Sequence, residues 1–195
     1  MTPAPVPPTL DALIADAEAL KAAGRVADAA ARYAEWLATD TTPARAVAAF
    51  NLGVLRSELG ELDAADAAYR AALEVNPALH QARINAGLVA ERLGREQAAV
   101  EWWLDAVRQT STVPGSDRGL ATVALNHLGR LQETRRHYAE AEAALAQSLQ
   151  LDPAQPDAIQ HWVHLRQKQC RWPVYEAPPG LTVNQLMGAT SPLAM

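Results

Sequence analysis

The apolar positions of this chain follow a fixed order of small and large residues that returns every 34 positions. Asn51-Leu52-Gly53 comes back as Asn85-Ala86-Gly87. Seven residues after that glycine each copy has another, Gly60 or Gly94. Then follow Ala65 or Ala99, an aromatic residue, Tyr69 or Trp103, and Ala72 or Ala106. The last three stand four and three residues apart, which puts them on one face of a helix. Two antiparallel helices per copy account for the order. Small residues sit where two backbones touch, and large ones fill the gaps between.

The pattern continues in both directions. A degenerate first copy spans about 10–43, with Leu13, Leu20, Gly24, Ala29 and Tyr33 as anchors and Trp36 where a small residue is usual; it reads as a capping copy. The second, 46–79, keeps the pattern best, and Asn76-Pro77 stops its second helix. The third, 80–113, has no proline at the matching stop. Thr110–Gly119 reads as a loop from its Gly, Pro and Ser content, and the echo resumes eight residues late, at Gly129. The fourth copy, 122–155, carries Leu125, Leu128, Gly129, Ala141, Leu145 and the stop Asp152-Pro153. One more first helix covers 156–170. Residues 1–9, with four prolines, are expected to form an extended, mobile arm. The tail 171–195, with four prolines and two glycines, is expected to be an irregular linker with a short helix near Thr182–Met187. Nine helices joined by short loops leave no room for a sheet.

This period and order resemble the tetratricopeptide repeat. The resemblance implies an all-α fold: a right-handed superhelical solenoid of about four repeats plus one extra helix. First helices would line its concave face. It also implies binding of other proteins rather than chemistry.

Composition narrows the partners. Of 195 residues, 49% are hydrophobic and 20% charged, which describes a globular chain. The net charge of −5 argues against a nucleic-acid or anionic-membrane partner. The lone Cys170 excludes a disulfide framework and offers no metal cluster. Residues 1–9 lack the basic and apolar regions of a signal peptide. No apolar stretch approaches the ~18 residues of a membrane span. The expectation is a cytoplasmic protein that needs no metal or cofactor and binds proteins or extended peptide segments.

The sixth position of each repeat faces the concave side. It reads Ala15, Asn51, Asn85, His127 and His161. An amide donates and accepts at once, so a row of Asn can grip the backbone of an extended peptide whatever its side chains; a neutral imidazole can do the same. The competing reading is that these residues only help helices pack. His127 and His161 lie one repeat apart with no carboxylate or thiol spaced to complete a metal shell. Trp103 holds the aromatic anchor, so Trp102 points elsewhere, either to a partner or onto the loop at Thr110–Gly119. Arg135, Arg136 and His137 read as a solvated turn.

The last first-helix ends Gln160-His161-Trp162-Val163-His164-Leu165-Arg166-Gln167-Lys168-Gln169-Cys170-Arg171-Trp172-Pro173-Val174-Tyr175. This resembles the junction of the SPINDLY and O-linked N-acetylglucosamine transferase family, bacterial type, where a Cys-x-Trp-x-x-Tyr element leads out of the repeats. Cys170, Trp172 and Tyr175 match that element, and His164 fits the helix before it. The resemblance implies repeats that recruit acceptor proteins. The family's two Rossmann-like catalytic lobes have no counterpart here: there is no strand–helix alternation and no Gly-rich phosphate loop. No catalytic residue is assigned. Two readings follow. The chain is the acceptor-recruiting N-terminal repeat region of a SPINDLY-like protein O-GlcNAc transferase, or it is a stand-alone repeat adaptor. In both, Cys170, Trp172 and Tyr175 are expected to pack on the last first-helix and close the solenoid.

Overall fold

The computed structural model describes residues 8–112 and 118–190. Among the described residues ten α-helices follow one another: α1 Leu10–Ala22, α2 Val26–Thr39, α3 Arg45–Glu58, α4 Leu62–Val75, α5 His80–Arg92, α6 Glu96–Thr112, α7 Arg118–Thr134, α8 Tyr138–Leu151, α9 Pro156–Lys168 and α10 Val183–Thr190. No strand occurs among the described residues. The chain divides into two compact units, Met1–Ala99 and Val100–Met195, and α6 begins in the first and continues in the second. Most of the expected arm at 1–9, the centre of the expected loop (113–117) and the end of the tail (191–195) lie outside the described residues.

One turn geometry separates the two helices of every repeat. Gly24, Gly60 and Gly94 have φ of +75°, +78° and +71°. After each, the next amide donates to a carbonyl five residues back: Arg25 to Leu20 at 2.9 Å, Glu61 to Arg56 at 2.9 Å and Arg95 to Ala90 at 2.8 Å. That closure satisfies carbonyls a helix end leaves orphaned, and it needs a left-handed residue. The same turn recurs at Arg136 (φ 62°) and Cys170 (φ 52°), with His137 donating to Gln132 and Arg171 to Arg166. There a side chain is held in a conformation that glycine adopts without steric cost.

In the first unit, Leu13, Ala17, Ala29, Tyr33, Trp36 and Leu55 form a buried cluster between α1, α2 and α3. The small-against-large rule is sharpest at Gly53. A Cβ there would lie 2.6 Å from Cε1 of the buried Tyr69 ring, so α3 meets α4 with nothing but backbone. Trp36 is buried too, and its indole N–H donates to the Pro8 carbonyl at 2.8 Å, tying the arm's last residues to α2.

In the second unit, Gly129 repeats the device. Its Cβ would lie 2.8 Å from Leu145 Cγ, a leucine standing where earlier repeats have an aromatic ring. Leu145 and Leu149 of α8 pack with Ile159, Trp162 and Val163 of α9 and with Val174, Leu181 and Leu186 of the tail. Thr182 caps α10: its hydroxyl accepts from the Gln185 amide at 3.3 Å, while the Gln185 side chain accepts from the Thr182 amide at 2.9 Å.

The structure corrects the expectation of a loop over all of Thr110–Gly119. Both flanking helices run into it, α6 through Thr112 and α7 from Arg118, and each is 17 residues long. The hydroxyls explain why. Thr110 Oγ1 donates to the carbonyls of Ala106 (2.8 Å) and Val107 (3.1 Å), and Thr122 Oγ1 donates to that of Arg118 (2.9 Å). Threonine side chains satisfied inside the helix in this way no longer compete with it.

Candidate functional site

Each polar sixth-position side chain is held by the repeat before it or by a neighbouring helix. In the first unit, Asn51 on α3 donates from Nδ2 to the Tyr33 hydroxyl at 3.1 Å. Asn85 on α5 donates to the Tyr69 hydroxyl at 3.4 Å and accepts from Gln81 Nε2 at 3.1 Å. Burial pushes both tyrosine hydroxyls above their ordinary range, and the asparagine hydrogen bonds only partly offset this. In the second unit, the His127 ring stacks on Trp103 with centroids 5.1 Å apart and planes at 19°. The next anchor is Leu145, which offers neither hydroxyl nor ring. His161 turns instead to α7, with Nε2 2.5 Å from Glu133 Oε2. Asn51, Asn85, His127 and His161 are all half-buried. The coupling between anchor and sixth position was not visible in the sequence, although the constant spacing of the two positions within each repeat was its available signal. Asn51 also lines a cleft of about 100 Å³ with Glu18, Lys21, Tyr33 and Val54. One amide hydrogen is committed to Tyr33, so its oxygen and second hydrogen remain for other bonds.

Glu133 is a hub in the second unit. It receives His161, receives Lys168 Nζ at 2.6 Å, and lies 3.9 Å from His164 Nε2. Burial pushes its carboxyl up, but the hydrogen bonds and charges of Lys168 and His161 together outweigh this and hold it below its ordinary value. A depressed carboxyl stabilises the fold above the unfolded value of ~4.3, and that contribution is lost as pH falls through the folded value. Because the cluster is partly exposed to solvent, the gain is at most about 1 kcal/mol. Urea midpoints of wild type and Glu133→Gln should therefore differ at pH 7 and converge in acid, as the pH falls below the ordinary carboxylate range. A gap that stayed constant into acid would show that the charge of Glu133 contributes nothing.

The junction residues do not sit as expected. Trp172 is 77% exposed and Tyr175 is 37% exposed; Cys170 and His164 are exposed as well. The expectation that Cys170, Trp172 and Tyr175 pack on the last first-helix is thus corrected. Cys170 occupies the left-handed turn position described above, and its side chain faces solvent. The chain then runs irregularly instead of starting a second helix, so Val174, Leu181 and Leu186 become the buried residues. Trp102 is half-buried, and 113–117 of the loop it was weighed against lie outside the described residues. Arg136 and His137 are exposed at a turn, with His137 Nδ1 3.1 Å from Gln132 Oε1.

No group of three potential metal ligands comes together among the described residues, and no described helix is long and apolar enough to cross a membrane. What remains is a helix-pair repeat protein whose polar information lies on first helices and in the tail. Models of the tetratricopeptide repeat match residues 46–79 and 79–154, together more than half of the chain. The chain belongs to the tetratricopeptide-repeat family, a class whose stacked repeats bind protein partners. No curated protein matches it in sequence. Among solved structures, it is similar to the MamA protein, with 14% identity, a TM-score of 0.72, and coverage of 92% of this chain and 91% of that one. PilF of Pseudomonas aeruginosa matches with 22% identity, a TM-score of 0.68, and coverage of 93% and 74%. BtubC of P. vanneervenii matches with 14% identity, a TM-score of 0.72, and coverage of 92% and 80%. At these identities the likeness is one of fold.

Proposed function

We propose that this protein is an interaction scaffold whose first-helix faces hold extended polypeptide segments. Asn51 and Asn85 are the gripping groups in the first unit, and His127 and His161 in the second. The observation that carries this reading is the fixing of the half-buried Asn51 amide by Tyr33 while it lines a cleft and keeps unused hydrogen-bonding capacity. An oriented amide loses little entropy when it meets a backbone.

The test separates gripping from packing. A partner is isolated by pull-down and titrated against wild type and Asn51→Ala with Asn85→Ala. The double variant should bind roughly 1–3 kcal/mol more weakly, two hydrogen bonds of about 0.5–1.5 kcal/mol each. Tyr33→Phe with Tyr69→Phe removes the hydroxyls that orient the amides but leaves the amides themselves, so its loss should be smaller. Equal affinity for wild type and the asparagine double variant would leave these positions with packing alone.

We propose further that the scaffold recruits acceptor proteins for a SPINDLY-like protein O-GlcNAc transferase. The support is in the sequence: Cys170, Trp172 and Tyr175 keep the family's spacing behind a repeat helix. Cys170 has a turn role of its own, so exposed Trp172 and Tyr175 bear most of this reading. The alternative, a stand-alone adaptor, is favoured by the way the tail folds back on α9 and buries Val174, Leu181 and Leu186. Whether the natural reading frame runs on past Met195 into glycosyltransferase lobes decides between them.

A further inference from the structure

The cleft that Asn51 lines lies wholly within the first unit, between α1, α2 and α3. At about 100 Å³ it is far below the roughly 300–1,000 Å³ of small-molecule sites, so it takes one side chain rather than a metabolite. Ala17, Val54 and Leu55 give it an apolar wall. Glu18 and Lys21 bring two opposite charges to it. The two are not equivalent. Lys21 Nζ is committed to Glu58 Oε1 on α3 at 2.7 Å. Glu18, one turn earlier on α1, is exposed and has no hydrogen bond or ion pair among the described residues.

The chemistry of an occupant follows. Lys21 and Glu58 cancel, which leaves the cleft one uncompensated negative charge, on Glu18. That charge is felt inside the site. Burial pushes the Tyr33 hydroxyl up, and the charge of Glu18 adds to the rise. A carboxylate only accepts, so its complement is a cation that donates. One carboxylate beside an amide offers too few ligands for a divalent metal ion, which takes about six oxygens. A lysine or arginine side chain fits both halves of the cleft. Its methylene stem matches the wall of Ala17, Val54 and Leu55, and its charged head matches Glu18 at the exposed edge.

We propose that Glu18 is a specificity residue: the polypeptide segment held by Asn51 carries a lysine or arginine whose cation meets the Glu18 carboxylate. Glu18 thereby adds a sequence preference to the gripping role proposed for Asn51, on which this assignment rests. An amide grips any backbone; an unpaired carboxylate beside it favours a basic partner and repels an acidic one. The effect is on the choice of partner more than on affinity, because an ion pair open to solvent contributes little.

The probe is a library of random short peptides displayed on phage, selected on the full chain and on its Glu18→Gln and Glu18→Lys variants, with circular dichroism confirming that each is folded. Wild type should enrich peptides with lysine or arginine at one fixed position. Glu18→Gln should lose that preference, and Glu18→Lys should replace it with one for aspartate or glutamate. The best wild-type peptide is then titrated beside the same peptide with glutamine in place of its basic residue. Wild type should bind the basic form about two- to fivefold more tightly. The gap should vanish in Glu18→Gln, and also in about 1 M salt, where the screening length is about 3 Å. Asn51→Ala with Asn85→Ala should weaken both peptides by the same factor. A basic preference shared by wild type and Glu18→Gln, or selection with no charge preference, overturns the role of Glu18 and leaves that of Asn51 standing. Equal binding by wild type and the asparagine double variant, or no peptide retained at all, overturns the gripping role and this proposal with it.

Discussion

Trp103→Ala is expected to destabilise the protein by about 3–5 kcal/mol, the range for truncating a buried aromatic residue. Trp103 is fully buried and is the largest side chain of that kind among the described residues. Its helix neighbours on the same face, Ala99 and Ala106, are already small and fully buried, so they cannot swing in to fill the space. The cost should therefore sit toward the upper end, because a cavity that cannot collapse costs more. His127 loses its stacking partner at the same time. Trp103→Phe keeps a ring against His127 and should lose much less. Urea unfolding followed by far-ultraviolet circular dichroism measures both variants. In a chain of this size, 1 kcal/mol moves the midpoint temperature by roughly 2–4 °C, so the alanine variant should melt about 10 °C lower. A loss under about 1 kcal/mol would mean that the aromatic anchor of this repeat is not a stability element.

Glu142→Ala should have an effect of the same size through different physics. Glu142 is a buried carboxylate on α8 that accepts from Arg166 (3.0 Å), Gln169 (2.9 Å) and Arg171 (2.8 Å). Removing it leaves the Arg166 guanidinium buried without its main counter-charge, which costs about 3–5 kcal/mol for a pair broken from one side. Glu142→Gln keeps an acceptor and the shape, so its loss should be smaller. Glu142→Leu with Arg166→Met removes both charges and should recover part of the loss. It should not recover all, because Arg166 also holds the tail through the Pro173 carbonyl and stacks on Trp162 at 4.9 Å. Amide hydrogen exchange locates the effect: α10 should lose protection before α7. Unchanged protection of α10 in Glu142→Ala would show that the tail is held by its apolar residues alone.

What the sequence by itself determined is local. The 34-residue interval, the glycines at 24, 60 and 94, and the order of small residues such as Gly53 and large ones such as Tyr69 could be read directly, because each rests on a steric rule internal to one helix pair. A left-handed turn favours glycine, and a backbone pressed on a ring cannot carry a Cβ. The tertiary structure decided everything that depends on how one element docks on the next. Arg136 and Cys170 take the left-handed turn although their side chains disfavour it, since the packing of flanking helices outweighs that preference. The helices around Thr110 and Thr122 outrun the loop composition because their hydroxyls are satisfied within the helix. Tyr33 and Tyr69 secure Asn51 and Asn85 across a repeat boundary, a contact between residues far apart in sequence. The tail is inverted, with Trp172 outside and Val174 inside, and Arg166 donates to the Pro173 carbonyl between them. Alternation of apolar residues says that something will be buried there; which face turns inward is decided where the tail docks on α8 and α9, among residues distant in sequence.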